Sequence, residues 1–398
     1  MEQTGASPAD APLTVFVIAG EPSGDLLGAR LMEAIKRQAG RTVKFAGIGG
    51  PRMEAQGMTS LFPMADLTVM GFVEVLPRAV GILRRMSRTV RAIKDQKPDV
   101  LVTIDAPGFC FRVLRKLRNS PVRKIHYVAP SVWAWRPGRA KKIAGLLDHL
   151  MVLLPFEPPY FEKEGLATTF VGHPILEGEI EAAEGSHFRR NHNIPADCPV
   201  LCVLLGSRRN EVRIHMPIFS DAIRRLHEKF PSLRIVVPTV STLIDDIRGP
   251  VGTWPAPVTI VDNDSDKYDA MAAANAALAV SGTVSLELAL SSLPAVIAYR
   301  VHAISAFILR RLMTLKYANL VNWLLDRKAV PEFIQEDCRG DLLAEAVSHL
   351  LVDQVVAQQQ RVESAAAIAM LAPASGTPSD AAAAVVLRLA TETRSKGP

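Results

Sequence analysis

Short runs rich in apolar, β-branched and aromatic residues alternate with longer stretches of helical pattern, from Leu13 almost to the end of the chain. The short β-rich runs predict strands. In the first half they are Leu13–Ala19, Val43–Ile48, Val100–Ile104, Lys124–Val128, His149–Leu153 and Thr168–Val171. Helical periodicity lies between them, for example over Asp25–Gln38 and Val80–Gln96. This alternation predicts a parallel sheet with helices on both faces.

A second alternating series follows Gly172–Asn193, a charged and glycine-rich segment that predicts a linker. The strands predicted in this series are Val200–Leu205, Ile235–Pro238, Val258–Val261, Ala276–Val280 and Ala295–Ala298. The alanine-rich stretches Leu342–Leu371 and Ser379–Thr393 predict helices. The predicted fold class is therefore α/β, with two Rossmann-like domains facing a ligand cleft at the carboxyl ends of their strands.

The length of the chain also favours two domains, because one hydrophobic core rarely grows beyond about 250–300 residues and this chain has 398. We place the first domain at 1–177 and the second at 178–364, with the helices after about residue 365 returning to the first domain. A net charge of +6 with only 6% aromatic residues argues against a nucleic-acid-binding protein. Because we find neither a signal-peptide pattern nor a long uninterrupted apolar run, we expect a cytoplasmic protein that touches a membrane surface from outside.

Two glycine turns follow predicted strands of the second half. They are Gly206-Ser207-Arg208 and Ser281-Gly282-Thr283. Such turns are typical of phosphate sites, because a helix start offers free N–H groups and the positive end of a dipole. Arg208 can bind a pyrophosphate with two hydrogen bonds, or simply pair with Glu211 on the surface. Glu287, one helical turn further on, is either a ribose ligand or an ordinary surface carboxylate.

Three further motifs follow predicted strands of the first half. The first is the Gly20–Asp25 turn, which contains Glu21, Ser23 and Asp25. The second contains Asp105, and the third is a loop with Trp133, Trp135 and Arg136. Asp105 is a candidate general base, or a turn residue that hydrogen-bonds its own loop before Pro107. The first turn suits sugar hydroxyls, unless Ser23 or Asp25 only caps the next helix. The Trp/Arg loop suits an apolar and anionic ligand better than it suits core packing.

The segment Val80–Lys94 is amphipathic and basic, with four arginines and a lysine among apolar residues. A helix of this kind can lie in a membrane interface. The commoner explanation is the solvated face of an ordinary helix, and the sequence leaves both open.

In order along the chain, these motifs resemble those of the lipid-A-disaccharide synthases, inverting glycosyltransferases of the GT-B architecture. The matching stretches are Ala19–Asp25, Gly47–Gly50 with Met53, Met70-Gly71 with Glu74-Val75, Ile104–Pro107, His126–Arg136, Leu154–Glu157, Val171–Pro174, Gly206–Arg208 with Glu211, Ser281–Glu287, Asn322, Pro331-Glu332 and Gln335. No single motif is decisive, but the ordered set covers nearly the whole chain and is specific.

The resemblance implies that a UDP-2,3-diacylglucosamine donor reacts with 2,3-diacylglucosamine 1-phosphate. The products are a β-1,6-linked disaccharide 1-phosphate and UDP, in the lipid A (lipopolysaccharide) pathway of Gram-negative bacteria. The resemblance further implies no metal or other cofactor, no nucleic-acid partner, and peripheral contact with the inner membrane.

The resemblance also implies residue roles. Asp105 would be the base, with Glu21, Ser23 and Asp25 in the catalytic region. The UDP ligands would be Gly206, Ser207, Arg208, Ser281, Gly282, Thr283 and Glu287, completed by Asn322, Glu332 and Gln335, which a homodimer with exchanged C-terminal regions would supply to its neighbour. The acceptor and its acyl chains would contact Met70, Glu74, Trp133, Trp135 and Arg136.

One motif departs from the family pattern. Gly108 and Cys110 stand where the family usually has Asp and Asn. The missing carboxylate keeps open the alternative of a non-catalytic nucleotide-sugar or lipid-binding protein. A second alternative is a UDP-sugar 2-epimerase on the same fold, which would use the same UDP loops but would not need the Trp/Arg loop or the basic segment.

Overall fold

The computed structural model describes residues 12–67, 75–133, 138–178, 180, 183–301 and 316–395. The strands in these residues are β1 Leu13–Ala19, β2 Val43–Ile48, β3 Val100–Ile104, β4 Arg123–Tyr127, β5 His149–Val152, β6 Thr168–Phe170, β7 Val200–Leu204, β8 Arg234–Pro238, β9 Val258–Val261, β10 Ala276–Val280, β11 Ala295–Tyr299 and β12 Glu332–Ile334. Every strand predicted from the apolar runs is present, with each end within one residue of its prediction.

Helices connect these strands. They are α1 Pro22–Gln38, α2 Pro51–Ala55, α3 Val75–Gln96, α4 Pro107–Lys116, α5 Arg139–Ala144, α6 Pro158–Glu162, α7 Gly185–Asn191, α8 Arg209–Lys229, α9 Ile244–Val251, α10 Asp264–Ala273, α11 Val284–Leu290, α12 Leu320–Leu325, α13 Gly340–Val352, α14 Gln354–Ala369 and α15 Pro378–Ser395. None of the helices in the described residues has the length and apolar character needed to traverse a bilayer.

The strands form two parallel six-stranded sheets, which confirms the predicted α/β class. Their orders are β2-β1-β3-β4-β5-β6 and β12-β11-β10-β7-β8-β9. Apolar side chains are buried on both faces, as β1 illustrates. Val15 and Val17 pack into one core and Phe16 and Ile18 into the other. This burial explains why the strands carry apolar runs rather than alternating polar residues.

The described residues divide into two compact units. Unit 1 ends at Glu177 and resumes at Leu371, and unit 2 covers Gly178–Met370. The resumed segment carries α15, which packs on α1 within unit 1. Ser379 at the start of α15 donates from its N–H and hydroxyl groups to the Glu177 carboxylate. Unit 1 is thus built from both ends of the chain.

Two elements differ from the sequence-based expectations. Helix α7 lies within the predicted linker 172–193 and packs on α10. Arg189 in α7 fixes it by donating to backbone carbonyls that include Ala273 and Cys198. Strand β12 was not predicted, because three partly exposed residues leave no apolar run, and its parallel pairing with β11 holds it in place.

Gly172 lies where the resumed segment meets the end of β6, and it offers a test of that junction. Its φ is +84°, and an added Cβ would lie 2.7 Å from Pro373 Cδ and 3.1 Å from the Leu371 carbonyl. Gly165 has a similar φ of +79° with nothing within 4 Å. We expect Gly165→Ala to cost about 1–2 kcal/mol for the left-handed backbone alone. Gly172→Ala should cost about 1–3 kcal/mol more from the clash, measured as urea midpoints, and equal midpoints would contradict this account.

Candidate functional site

A pocket of about 480 Å³ opens in unit 2 at the carboxyl ends of β7, β8 and β10. It lies beside the point where the strand order reverses, between β7 and β10, which is the usual ligand position in such sheets. The predicted residues that line it are Gly206, Ser207, Arg208, Ser281, Gly282, Thr283 and Glu287. The fold therefore brings together two turns that lie some 75 residues apart in the sequence.

The second glycine turn presents backbone donors to this pocket. Ser281 is fixed at both ends, since its N–H donates to the Ala298 carbonyl and its hydroxyl to the Ala318 carbonyl at 2.5 Å. In the part of the chain that the structure describes, the next three N–H groups, those of Gly282, Thr283 and Val284, have no hydrogen-bond partner. An anionic ligand would satisfy these donors.

The first glycine turn is organised by a carboxylate of its own. Glu211 Oε2 accepts from the Ser207 and Arg208 N–H groups at 3.0 and 3.2 Å, and Oε1 lies 2.7 Å from Arg208 Nη1. Gly206 has a φ of +99°, and a Cβ there would lie 2.6 Å from Glu211 Oε2. The structure thus contains the ion pair between Arg208 and Glu211, which is the simpler of the two interpretations of this arginine. The Arg208 side chain is nevertheless 79% exposed, so a bound anion can compete for it.

Lys267 in α10 lines the same pocket and was missed by the sequence reasoning. Its Nζ lies 2.6 Å from Glu287 Oε2, and both side chains are largely buried. The only local signal is one lysine after β9 in a polar helix, with no glycine turn beside it. The pocket thus offers cationic Lys267 and Arg208 as well as the carboxylates of Glu287 and Glu211.

In unit 1, the turn after β1 touches the turn after β3. A Cβ on Gly20 would lie only 2.7 Å from Ala106 Cβ, so the close approach requires glycine. Asp105 and Ala106 both have left-handed φ angles, +47° and +43°, which cost about 1–3 kcal/mol each in a residue with a side chain. Burial raises the pKa of the Asp105 carboxyl, although the Ala106 N–H opposes this. Strain and a raised pKa are both typical of a functional carboxylate.

Asp25 does not present its carboxylate to a ligand. The side chain is buried and accepts from the N–H groups of Gly50, Arg52 and Met53 at 2.8–3.1 Å. It thus caps α2, a helix distant in sequence, rather than contributing to the catalytic region as predicted. Glu21 and Ser23 in the same turn are exposed.

The Trp/Arg loop is described only in part. Trp133 Nε1 donates to Glu157 Oε1 at 3.1 Å, and the Trp133 ring meets the edge of Phe156. Glu157 is buried and also accepts from the Leu153 and Leu154 N–H groups. The other residues predicted to contact the acceptor, Met70, Glu74, Trp135 and Arg136, lie outside the described residues.

Asn322, Glu332 and Gln335 do not line the pocket of their own chain. The Asn322 side chain is fully buried; its oxygen accepts from two backbone N–H groups, and its nitrogen donates to a backbone carbonyl and to Glu332 Oε1. Glu332 accepts the N–H of Ala318, whose carbonyl holds Ser281. Asn322 and Glu332 therefore support the glycine turn from behind. That they complete a neighbouring subunit's site stays a prediction.

Comparison with known sequences identifies close relatives. A family profile described as lipid-A-disaccharide synthetase matches residues 15–386. The lipid-A-disaccharide synthase of Rhodospirillum centenum is 51% identical over 384 residues, which cover 96% of each chain. That of Paramagnetospirillum magneticum is 49% identical over 379 residues, covering 94% of this chain and 97% of the relative.

Solved structures share the fold at low sequence identity. The kitacinnamycin glycotransferase superposes with a TM-score of 0.60 at 16% identity, covering 95% of this chain and 99% of its own. A UDP-GlcNAc 2-epimerase from Neisseria meningitidis, solved with UDP-GlcNAc, gives a TM-score of 0.61 at 11% identity, covering 96% and 100%. These likenesses confirm the GT-B architecture and do not distinguish a transferase from an epimerase.

The buried Glu157 should make stability depend on pH. Burial raises the pKa of Glu157 to about 7, so the folded protein keeps a proton that the unfolded chain releases near pH 4.5. The free energy of unfolding should fall, by about 3 kcal/mol, as pH rises from 4.5 to 7, and this contribution should be constant outside that range. Glu157→Gln should remove this dependence in urea titrations, whereas the exposed Glu162→Gln should keep it. A parallel pH profile in both variants would contradict this assignment.

Proposed function

Because the chain belongs to the lipid-A-disaccharide synthase family of glycosyltransferases, we propose that it condenses UDP-2,3-diacylglucosamine with 2,3-diacylglucosamine 1-phosphate. The products are the β-1,6-linked lipid A disaccharide 1-phosphate and UDP. The observation that carries this proposal is identity of about half of all positions over the whole length of a relative with that name. Membership of the family places the chain in lipid A biosynthesis.

Asp105 is the proposed general base. Its carboxylate takes the proton of the acceptor's 6-hydroxyl while that oxygen attacks C1 of the donor sugar from the side opposite the diphosphate. The C1–O bond breaks, its electron pair leaves with UDP, and the configuration at C1 inverts through an oxocarbenium-like transition state. The end of a central strand, a strained backbone and a raised pKa all support this role. Glu21 and Ser23, in the adjoining turn, are proposed to bind the sugar hydroxyls.

The departing UDP is proposed to bind in the pocket of unit 2. Its diphosphate gains negative charge, which the partnerless N–H groups of Gly282, Thr283 and Val284 and the cations Arg208 and Lys267 would stabilise. Glu287 would accept from the ribose hydroxyls while Lys267 keeps its charge compensated. These protein groups alone would stabilise the negative charge that develops on the leaving diphosphate.

The acyl chains of both substrates call for a membrane partner, and we propose peripheral contact with the cytoplasmic face of the inner membrane. Helix α3 supports this with the exposed cations Arg84, Arg88, Arg91 and Lys94 and an exposed Leu83. A homodimer that exchanges its C-terminal regions is a further proposal, which rests on the resemblance of Asn322, Glu332 and Gln335 to family positions alone.

One assay separates this function from its alternatives. The two acylated sugars are incubated with the protein in detergent, and mass spectrometry follows the tetraacyl disaccharide 1-phosphate. Binding of UDP without this product would favour a non-catalytic binding protein. A second incubation with UDP-N-acetylglucosamine alone tests the epimerase alternative, for which the comparisons supply only a shared fold, and formation of a 2-epimer would overturn the proposal.

We expect Asp105→Asn to lower kcat by about 10²–10⁴-fold, the usual contribution of a general base, with little change in UDP affinity. Asparagine accepts left-handed φ angles well, so the variant should fold. At neutral pH it should be more stable than the wild type, because an ionised carboxylate with a raised pKa costs folding energy. That gain should disappear as pH falls below about 4, where the carboxyl is protonated in both states. Undiminished kcat would rule out Asp105 as the base.

We expect Lys267→Gln to weaken UDP binding by about 1.5–3 kcal/mol, the range for a hydrogen bond to a charged group. The variant removes one cation and leaves Glu287 uncompensated beside the diphosphate. Uridine, which has no phosphate, should lose clearly less affinity than UDP in calorimetric titrations. Lys229→Gln, on the exposed end of α8, is the matched control and should bind UDP like the wild type. An equal loss of uridine and UDP affinity would show that Lys267 only maintains the fold of the pocket.

A further inference from the structure

A groove of about 690 Å³ lies between α4 and α5 in unit 1. Six cationic side chains line it, and we call it the basic groove. They are Arg112, Arg115, Arg118, Arg139, Lys141 and Lys142. All six are exposed, and the lining contains no carboxylate. None of the six forms an ion pair with any residue that the structure describes.

One end of the basic groove lies at the candidate base. Pro107 and Gly108 line it, and they follow Asp105 by only two and three residues. A Cβ on Gly108 would meet nothing within 4 Å, so this end is open. Arg112 stands one turn further along α4, and Arg139 is the first residue of α5. Since both helices start at the carboxyl edge of the sheet, these two cations lie toward the same edge as Asp105.

The charge of the groove favours an anionic ligand. Arg112 and Arg115 are three residues apart on α4, and Lys141 and Lys142 are adjacent on α5, so like charges lie close enough to repel one another. Elsewhere in unit 1, cations such as Arg30, Arg37 and Arg85 are paired with carboxylates. Four of the six cations are arginines, whose planar guanidinium groups match phosphate oxygens in a two-bond geometry. A concave, all-cationic site therefore suits a phosphate group.

We propose that the basic groove binds the phosphomonoester of the acceptor, with the phosphate between Arg112 and Arg139. This inference rests on the proposed function, because that reaction supplies an acceptor whose 1-phosphate stays unchanged while its 6-hydroxyl reacts. Held at the Asp105 end of the groove, the phosphate would orient the sugar toward the base. An anionic lipid headgroup carries the same phosphate chemistry, and the experiment separates the two sources.

The test is the double variant Arg112→Gln with Arg139→Gln, assayed in detergent with two acceptors. One acceptor is 2,3-diacylglucosamine 1-phosphate, and the other is the same sugar without the phosphate. We expect KM for the phosphorylated acceptor to rise at least tenfold, whereas KM for the other acceptor and for the donor should not change. The matched control, Lys44→Gln with Lys116→Gln, removes the same charge from exposed positions of unit 1 outside the groove and should leave all three KM values unchanged.

Two further measurements make the outcome decisive. The first is calorimetric titration with glucosamine 1-phosphate, which needs no turnover. Binding to the wild type but not to the double variant would support the groove as a phosphate site. If no disaccharide forms in the activity assay, that result would show that only the proposed reaction fails. Cosedimentation with phosphatidylglycerol and phosphatidylcholine vesicles tests the headgroup. Loss of phosphatidylglycerol binding in the double variant, with an unchanged KM for the phosphorylated acceptor, would overturn the proposal. The proposal would also be overturned if the double variant kept the wild-type preference for the phosphorylated acceptor and the wild-type affinity for glucosamine 1-phosphate.

Discussion

The strand order reverses beside β1 in one sheet and beside β7 in the other, and the position of the candidate residues follows from that reversal. Parallel strands joined by right-handed crossovers place their helices on one face when the chain winds one way and on the opposite face when it winds back. Where the direction changes, the loops after two adjacent strands lead to helices on opposite faces of the sheet, and ligands commonly bind at this edge. Gly20 and Asp105 stand at the first reversal, and Gly206 and Ser281 stand at the second.

Three carboxylates of unit 1 have different roles because their surroundings differ. Asp25 accepts three backbone N–H groups and is committed to holding α2. Glu157 is buried, accepts from two backbone N–H groups and holds Trp133. Asp105 is partly buried on a strained backbone, and burial is the main cause of its raised pKa. Among the three, only Asp105 combines a raised pKa with a position at the central strand's end, as a base requires.

The sequence predicted most strands well because strands such as β1, β3, β7 and β10 are short, continuous apolar runs that are buried on both faces. It failed where structure depends on partners distant in sequence. Strand β12 exists because β11 pairs with it, and α7 exists because Arg189 reaches carbonyls far from its own helix. The same reason explains the site. The glycine turns could be recognised locally, whereas the role of Asp25 depends on N–H groups 25 residues away, and Lys267 has no local signal.

Because α15 packs in unit 1, the order of synthesis determines which unit can complete its core first. Ala382, Ala383, Val386 and Ala390 complete a core that β1 and β3 begin, yet they leave the ribosome more than 200 residues after Glu177. At about 5–20 residues per second, the apolar face of α1 would stay exposed for some tens of seconds before α15 can pack against it. Unit 2 is synthesised whole during that interval. The N-terminal half of this chain is therefore the part to finish folding last, and a nascent chain that stops before α15 would expose apolar surface to chaperones and proteases.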